Sequence, residues 1–215
     1  MKESISLVKH QQISKKFKID YNNIRELFYE KVKDRADEIF LISPGENTAE
    51  FTYTELKSLI KNTYSIFRRL ELKNKDRINL IFHNSPEFLI LYFSALCFGL
   101  TVVPINPDIA PEEMRYIISD SKSKVIFYSN TLEFKIKNIK NLDSVKLEKI
   151  TSINDQEFSL KNEDNFEENE ISINDTAVII YTSGTTGNPK GVILSHLNLL
   201  SDSKSISEWF HFNTK

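Results

Sequence analysis

The chain has 215 residues, 40% of them hydrophobic, with 15 Phe and 8 Tyr, which is enough apolar surface for a real core. Only 5 Gly and 6 Pro argue against a fibrous or loop-dominated protein, and a net charge of −2 excludes the basic excess that a nucleic-acid binder carries. The single cysteine, Cys97, excludes an internal disulfide framework and fits a reducing, cytoplasmic setting; its apolar neighbours make it a buried packing residue.

The first 20 residues lack a continuous apolar stretch, so no secretory signal is read there. Lys15, Lys16 and Lys18 leave peripheral contact with an anionic membrane open, and residues 1–21 read as a solvated tail. Ile24, Leu27, Phe28 and Val32 then fall on one face of a helix. "EIFLI" and "AEFTY" read as two strands around the turn "SPGEN". Thr52 and Glu55 have capping-box spacing and open a helix whose apolar stripe is Leu56, Leu59, Ile60, Tyr64, Phe67 and Leu70.

After the strand in "DRINLIF" comes the one segment to weigh against a membrane span, the 18 uncharged residues Phe88 to Ile105. Its punctuation favours a folded reading: Ser85 as N-cap, Pro86 at the first helical position, a helix to Phe98, Gly99 as the stop and a buried strand "TVVPI". "APEEMRYIISD" is a further helix and "KVIFY" a strand apolar on both faces, as a helix-covered parallel sheet requires. The alternation predicts an α/β fold, a doubly wound, mostly parallel sheet flanked by helices. From about Thr131 to Asp175 the signal weakens; residues 154–175 read as an acidic, solvated connector, without the His or Cys companions of a metal site.

"TAVIIY" is a buried strand, "TSGTTGNPKG" a loop, and "VILS" a second strand that runs into the helix "HLNLLSDSKSISEWF". The loop chemistry suits an anion. Glycines let the backbone approach a ligand, and successive N–H groups form a nest for phosphate oxygens. Thr182, Ser183, Thr185 and Thr186 add hydroxyl donors, and Lys190 adds one mobile positive charge. Gly, Thr, Ser, Asn and Pro are also ordinary turn residues, so composition alone leaves a plain surface turn open. A Walker-type loop is excluded, because the spacing from Gly184 to Lys190 differs and Gly191, not Ser or Thr, follows the lysine.

"AVIIYTSGTTGNPKGVILSH", Ala177 to His196, resembles the phosphate-loop signature of the adenylate-forming enzymes almost letter for letter. "FTYTELKSL" and the run from Asn84 to Phe127 are similar to two further stretches of that family, so the resemblance covers roughly Asn22 to Trp209. "VVPINPDIAPEEMRYI" and "VILSHLNLL" lean toward the acyl-CoA synthetases over the amino-acid-activating domains. The resemblance implies ATP-dependent activation of a carboxylic acid, a fatty acid by preference, to an acyl-adenylate and then a coenzyme A thioester. It implies that Thr182, Ser183, Gly184, Thr185, Thr186 and Gly187 wrap the β- and γ-phosphates, that Thr185 touches Mg²⁺, and that Lys190 neutralises the departing pyrophosphate. His196 matches the motif and is assigned no chemistry.

In that family the adenine-binding aromatic stretch, the acidic magnesium ligand, the ribose-binding aspartate and the C-terminal lid domain all follow the phosphate loop. Residues 22–215 therefore read as an incomplete N-terminal portion of the fold, with no catalytic residue assigned and little activity expected alone. A complementary C-terminal chain, a non-catalytic nucleotide-binding role and an amino-acid adenylation domain stay open as alternatives. The last helix, with Ile206, Trp209 and Phe210, ends without a glycine stop.

Overall fold

The computed structural model describes residues 18–44, 48–139, 142, 145–152, 169–182 and 187–211. The chain runs α1 (Ile24–Asp34), β1 (Ile39–Ser43), β2 (Ala49–Thr52), α2 (Tyr53–Arg69), β3 (Arg77–Ile81), α3 (Pro86–Phe98), β4 (Thr101–Ile105), α4 (Pro111–Ser121) and β5 (Val125–Ser129). A 3₁₀ turn (Asn130–Leu132) leads to α5 (Glu133–Lys137), β6 (Lys146–Ile150), β7 (Thr176–Thr182), β8 (Lys190–Ser195) and α6 (His196–Phe210).

Strands β1 and β2 form a separate antiparallel pair, and the other six make one sheet in the order β6-β5-β3-β4-β7-β8. Every pairing in it is parallel except β7 with β8. Because side chains alternate along a strand, each central strand feeds two cores. Val102, Val125 and Phe127 face the layer built from α1, α2, α3 and the start of α6. Val103, Ile126 and Tyr128 face the layer built on Met114, Ile117 and Ile118 of α4. Chain order explains the double winding. The β3-α3-β4 unit covers one face, and α4 then returns across the other face to place β5 on the far side of β3.

The helix boundaries follow the punctuation in the sequence. The Thr52 side chain accepts from the Glu55 amide while the Glu55 carboxylate accepts from the Thr52 amide, a complete capping box for α2. Ser85 caps α3, Pro86 is its first residue and Gly99 ends it in the left-handed region at φ 96°. Cys97 is fully buried. Among the described residues no helix is long and apolar enough to cross a membrane.

Three expectations need amendment. The weak region after Thr131 contains α5 and an edge strand, β6, whose residues are mostly exposed up to Ile150 and which pairs with β5. A strand buried only at its last residue leaves no apolar alternation to read. Residues 154–168 of the acidic stretch lie outside the described residues; at its end Glu170, Ser172 and Asn174 are exposed, but Ile171 is buried, and the Asn23 side-chain amide donates to its carbonyl at 3.0 Å. The tail's last residues, Ile19 and Tyr21, pack against the core.

Candidate phosphate-binding hairpin

The loop singled out by its sequence joins β7 to β8, so it sits at the tip of an antiparallel hairpin on the sheet's edge. Thr182 and Lys190 face each other as the last pair below the tip, and both are exposed. Gly187 has φ 147°, which an L side chain rarely adopts, and a Cβ there would meet nothing within 4 Å. The need for glycine at 187 is therefore conformational, and open space lies in front of it. Ser183, Gly184, Thr185 and Thr186, including the expected Mg²⁺ contact, lie outside the described residues. Among the described residues no group of His, Cys, Asp or Glu could hold a metal ion.

Gly191, paired with Tyr181, has a different reason to be glycine. A Cβ at 191 would come within 2.9 Å of Ile179 Cγ2 and 3.2 Å of Tyr181 Cζ, so the Tyr181 ring occupies the space a side chain would need. The Tyr181 hydroxyl donates to Asp120 Oδ2 of α4 at 2.6 Å. Burial first, and then the Asp120 carboxylate, raise the Tyr181 pKa, so the hydroxyl keeps its proton.

The base of the hairpin is tied down differently. Thr101 Oγ1 donates to the Thr176 carbonyl at 2.8 Å, Lys75 pairs with Asp175 at 2.8 Å, and the His196 amide donates to the Asp175 carbonyl at 3.1 Å. The His196 side chain, 1% exposed, accepts from the Ile24 amide of α1 through Nδ1 at 3.3 Å. Burial lowers its pKa to about 4, with Arg25 acting in the same direction and Asp175 against it. In this structure His196 is a buried hydrogen-bond acceptor. Ser195 and Asn198 add a reciprocal cap that starts α6 immediately after β8. Sequence reasoning missed Tyr181, Gly191 and Asp120 as supports of the tip. The one available signal was a polar hydroxyl at the end of an otherwise apolar strand.

The described part of the hairpin presents the exposed Thr182 hydroxyl and the exposed Lys190 at the sheet's edge, chemistry suited to a phosphate chain. Comparison with known proteins agrees with its origin. Residues 28–214 match the family described as AMP-binding enzyme. A crotonobetaine/carnitine–CoA ligase of Salmonella paratyphi B is 30% identical over 162 residues, covering 70% of this chain and 31% of the relative. Among solved structures, the inhibitor-bound N-terminal domain of FACL13 from Mycobacterium tuberculosis superposes with a TM-score of 0.73 at 28% identity, covering 82% of this chain and 45% of that one. A fatty acyl CoA synthetase of the same organism gives a TM-score of 0.70 at 26% identity, covering 81% and 34%. The chain thus spans about a third of the length of the curated relatives it matches. On the match that spans nearly all of the described sheet and both cores, the chain belongs to the AMP-binding enzyme family.

Proposed function

We propose that this chain supplies the phosphate-binding hairpin of an ATP-dependent acid–CoA ligase. In the reaction a carboxylate attacks the α-phosphate of ATP, an acyl-adenylate forms and pyrophosphate leaves; the coenzyme A thiol then displaces AMP to give a thioester. The observation that carries the reading is the hairpin itself, with Thr182 and Lys190 paired at the mouth of a glycine- and threonine-rich loop on an exposed edge. The relatives named as CoA ligases support this reaction class over amino-acid adenylation.

In this reading Thr182, Ser183, Gly184, Thr185, Thr186 and Gly187 hold the β- and γ-phosphates. Lys190 would balance charge on pyrophosphate as it departs, and Thr185 would contact a Mg²⁺ ion, which would supply further positive charge to the phosphates when bound. A fatty acid is the proposed acid, and the cytoplasm the proposed compartment. Residues 22–215 act as one partial nucleotide-binding unit preceded by a tail. Completion of the site falls to polypeptide beyond these residues, in the same or a complementary chain.

The test is carboxylate-dependent exchange of radiolabelled pyrophosphate into ATP, measured on the protein isolated from its source cells. Lys190→Ala and Thr185→Ala should each slow exchange by about 10²-fold or more, with melting temperatures close to wild type. Exchange at the wild-type rate in both variants would remove the reading. The 215-residue chain alone should bind MgATP and show little turnover; robust turnover from it would refute the need for further polypeptide.

A further inference from the structure

The tip half of the hairpin has little to hold it. Among the described residues β8 is an edge strand with β7 as its one strand neighbour, and Ile180, Val192 and Ile193 near the tip are exposed. Among the described residues, one side-chain hydrogen bond runs from this half to another element, that of Tyr181 to Asp120. Its length of 2.6 Å is that of a charge-assisted O–H···O⁻ bond. Asp120 is a firm anchor, because α4 is fixed to the sheet through Met114, Ile117 and Ile118, all buried.

Two residues of the loop motif make sense together on this basis. Phenylalanine at 181 would fill the same space against Ile179 and Gly191, so packing alone does not call for the hydroxyl. Glycine at 191 is outside the left-handed region, so its backbone does not call for glycine either. What both serve is the path of the ring: Gly191 leaves room for it to cross the strand, and the hydroxyl ends on Asp120. The next residue is Thr182, where the strand opens into the loop.

From this geometry we infer that Tyr181 is a positioning residue for the phosphate loop, acting through Asp120 to fix the angle at which the loop leaves the sheet. The inference rests on the proposed phosphate-binding role of that loop. The strut holds Tyr181 and Thr182 in place before an anion arrives, so its loss is felt in ligand affinity.

The experiment uses the 215-residue chain with MgATP as the probe, reading affinity by calorimetry and the exchange of the Tyr181, Thr182, Lys190 and Gly191 amides by NMR without ligand. Tyr181→Phe keeps the ring and should weaken MgATP about three- to tenfold, while amide exchange at those positions accelerates. Asp120→Ala should do the same, and the double variant should be no worse than the weaker single one, the mark of a shared interaction. Asp120→Asn retains an acceptor oxygen and should recover most of the affinity. Unchanged amide exchange in Tyr181→Phe, or additive losses in the double variant, would overturn the strut. Wild-type affinity in Tyr181→Phe beside lost affinity in Lys190→Ala would also overturn it and leave the loop's ligand standing. Conversely, wild-type affinity in Lys190→Ala, with faster exchange in Tyr181→Phe, would retire the ligand and keep the strut.

Discussion

Protonation of His196 would place a second N–H where its Nδ1 now accepts from the Ile24 amide, and would charge a side chain that is almost fully buried. The folded chain therefore resists the proton, holding the pKa near 4 against an ordinary value of 6.5. The unfolded chain takes the proton first, so the stability contributed by neutral His196 is whole above about pH 6.5 and drains away as pH falls toward 4. A shift of that size corresponds to about 3 kcal/mol when fully lost. Chemical denaturation between pH 7 and pH 4 should show this loss, and His196→Asn, which keeps an acceptor but does not titrate, should flatten it. Equal pH slopes in the two proteins would mean that other groups carry the acid sensitivity. The partners that matter, Ile24, Asp175 and Arg25, come from α1 and from the lead into β7. No local pattern links position 24 to position 196, and the same is true of Asp120 and Tyr181. Contacts made across the fold are what a single sequence conceals.

Helix α3 is the contrasting case at the level of elements, since Ser85, Pro86 and Gly99 state its limits in the sequence and the structure keeps them. Gly99 also illustrates how much one boundary residue carries. Its φ of 96° is strained for any L side chain, and a Cβ would collide with Asn74 Oδ1, while the Lys75 amide donates to its carbonyl at 2.7 Å. Gly99→Ala should cost about 2 kcal/mol or more, seen as a lower denaturation midpoint with an unchanged slope; a cost below about 0.5 kcal/mol would show that the turn relaxes freely. Elements of this kind were legible because their signals are local: a cap, a proline, a glycine or an apolar stripe. β6 was not, because its burial comes only at Ile150 and its pairing partner is β5. For β8 the sequence indicated a strand starting at Val192, whereas pairing with Tyr181 and Thr182 extends it back to Lys190. The loop's chemistry was legible from residue types and order, while its support from α4 depends on the sheet bringing α4 underneath β7.

Across the whole molecule, the two cores end unevenly. The β8 edge leaves Val192 on one face and Ile193 on the other uncovered, and α6 exposes Ile206, Trp209 and Phe210. An edge strand offers unpaired backbone groups, and apolar side chains beside it turn that edge into a template for association. The isolated chain should therefore self-associate as concentration rises, through β8 and α6 and not through the well-covered face of α4. Sedimentation velocity over a hundredfold concentration range measures this directly. Ile193→Lys combined with Trp209→Gln should shift the distribution toward monomer without lowering the denaturation midpoint, because Ile193 and Trp209 are 64% and 79% exposed and contribute little to the core. Trp209 is the only tryptophan, so the parent chain reports its own association. Its emission should be that of a water-exposed indole when dilute and should move to the blue as the patch is covered. Association undiminished in the double variant, or an emission already blue in the dilute monomer, would place the sticky surface elsewhere on the molecule.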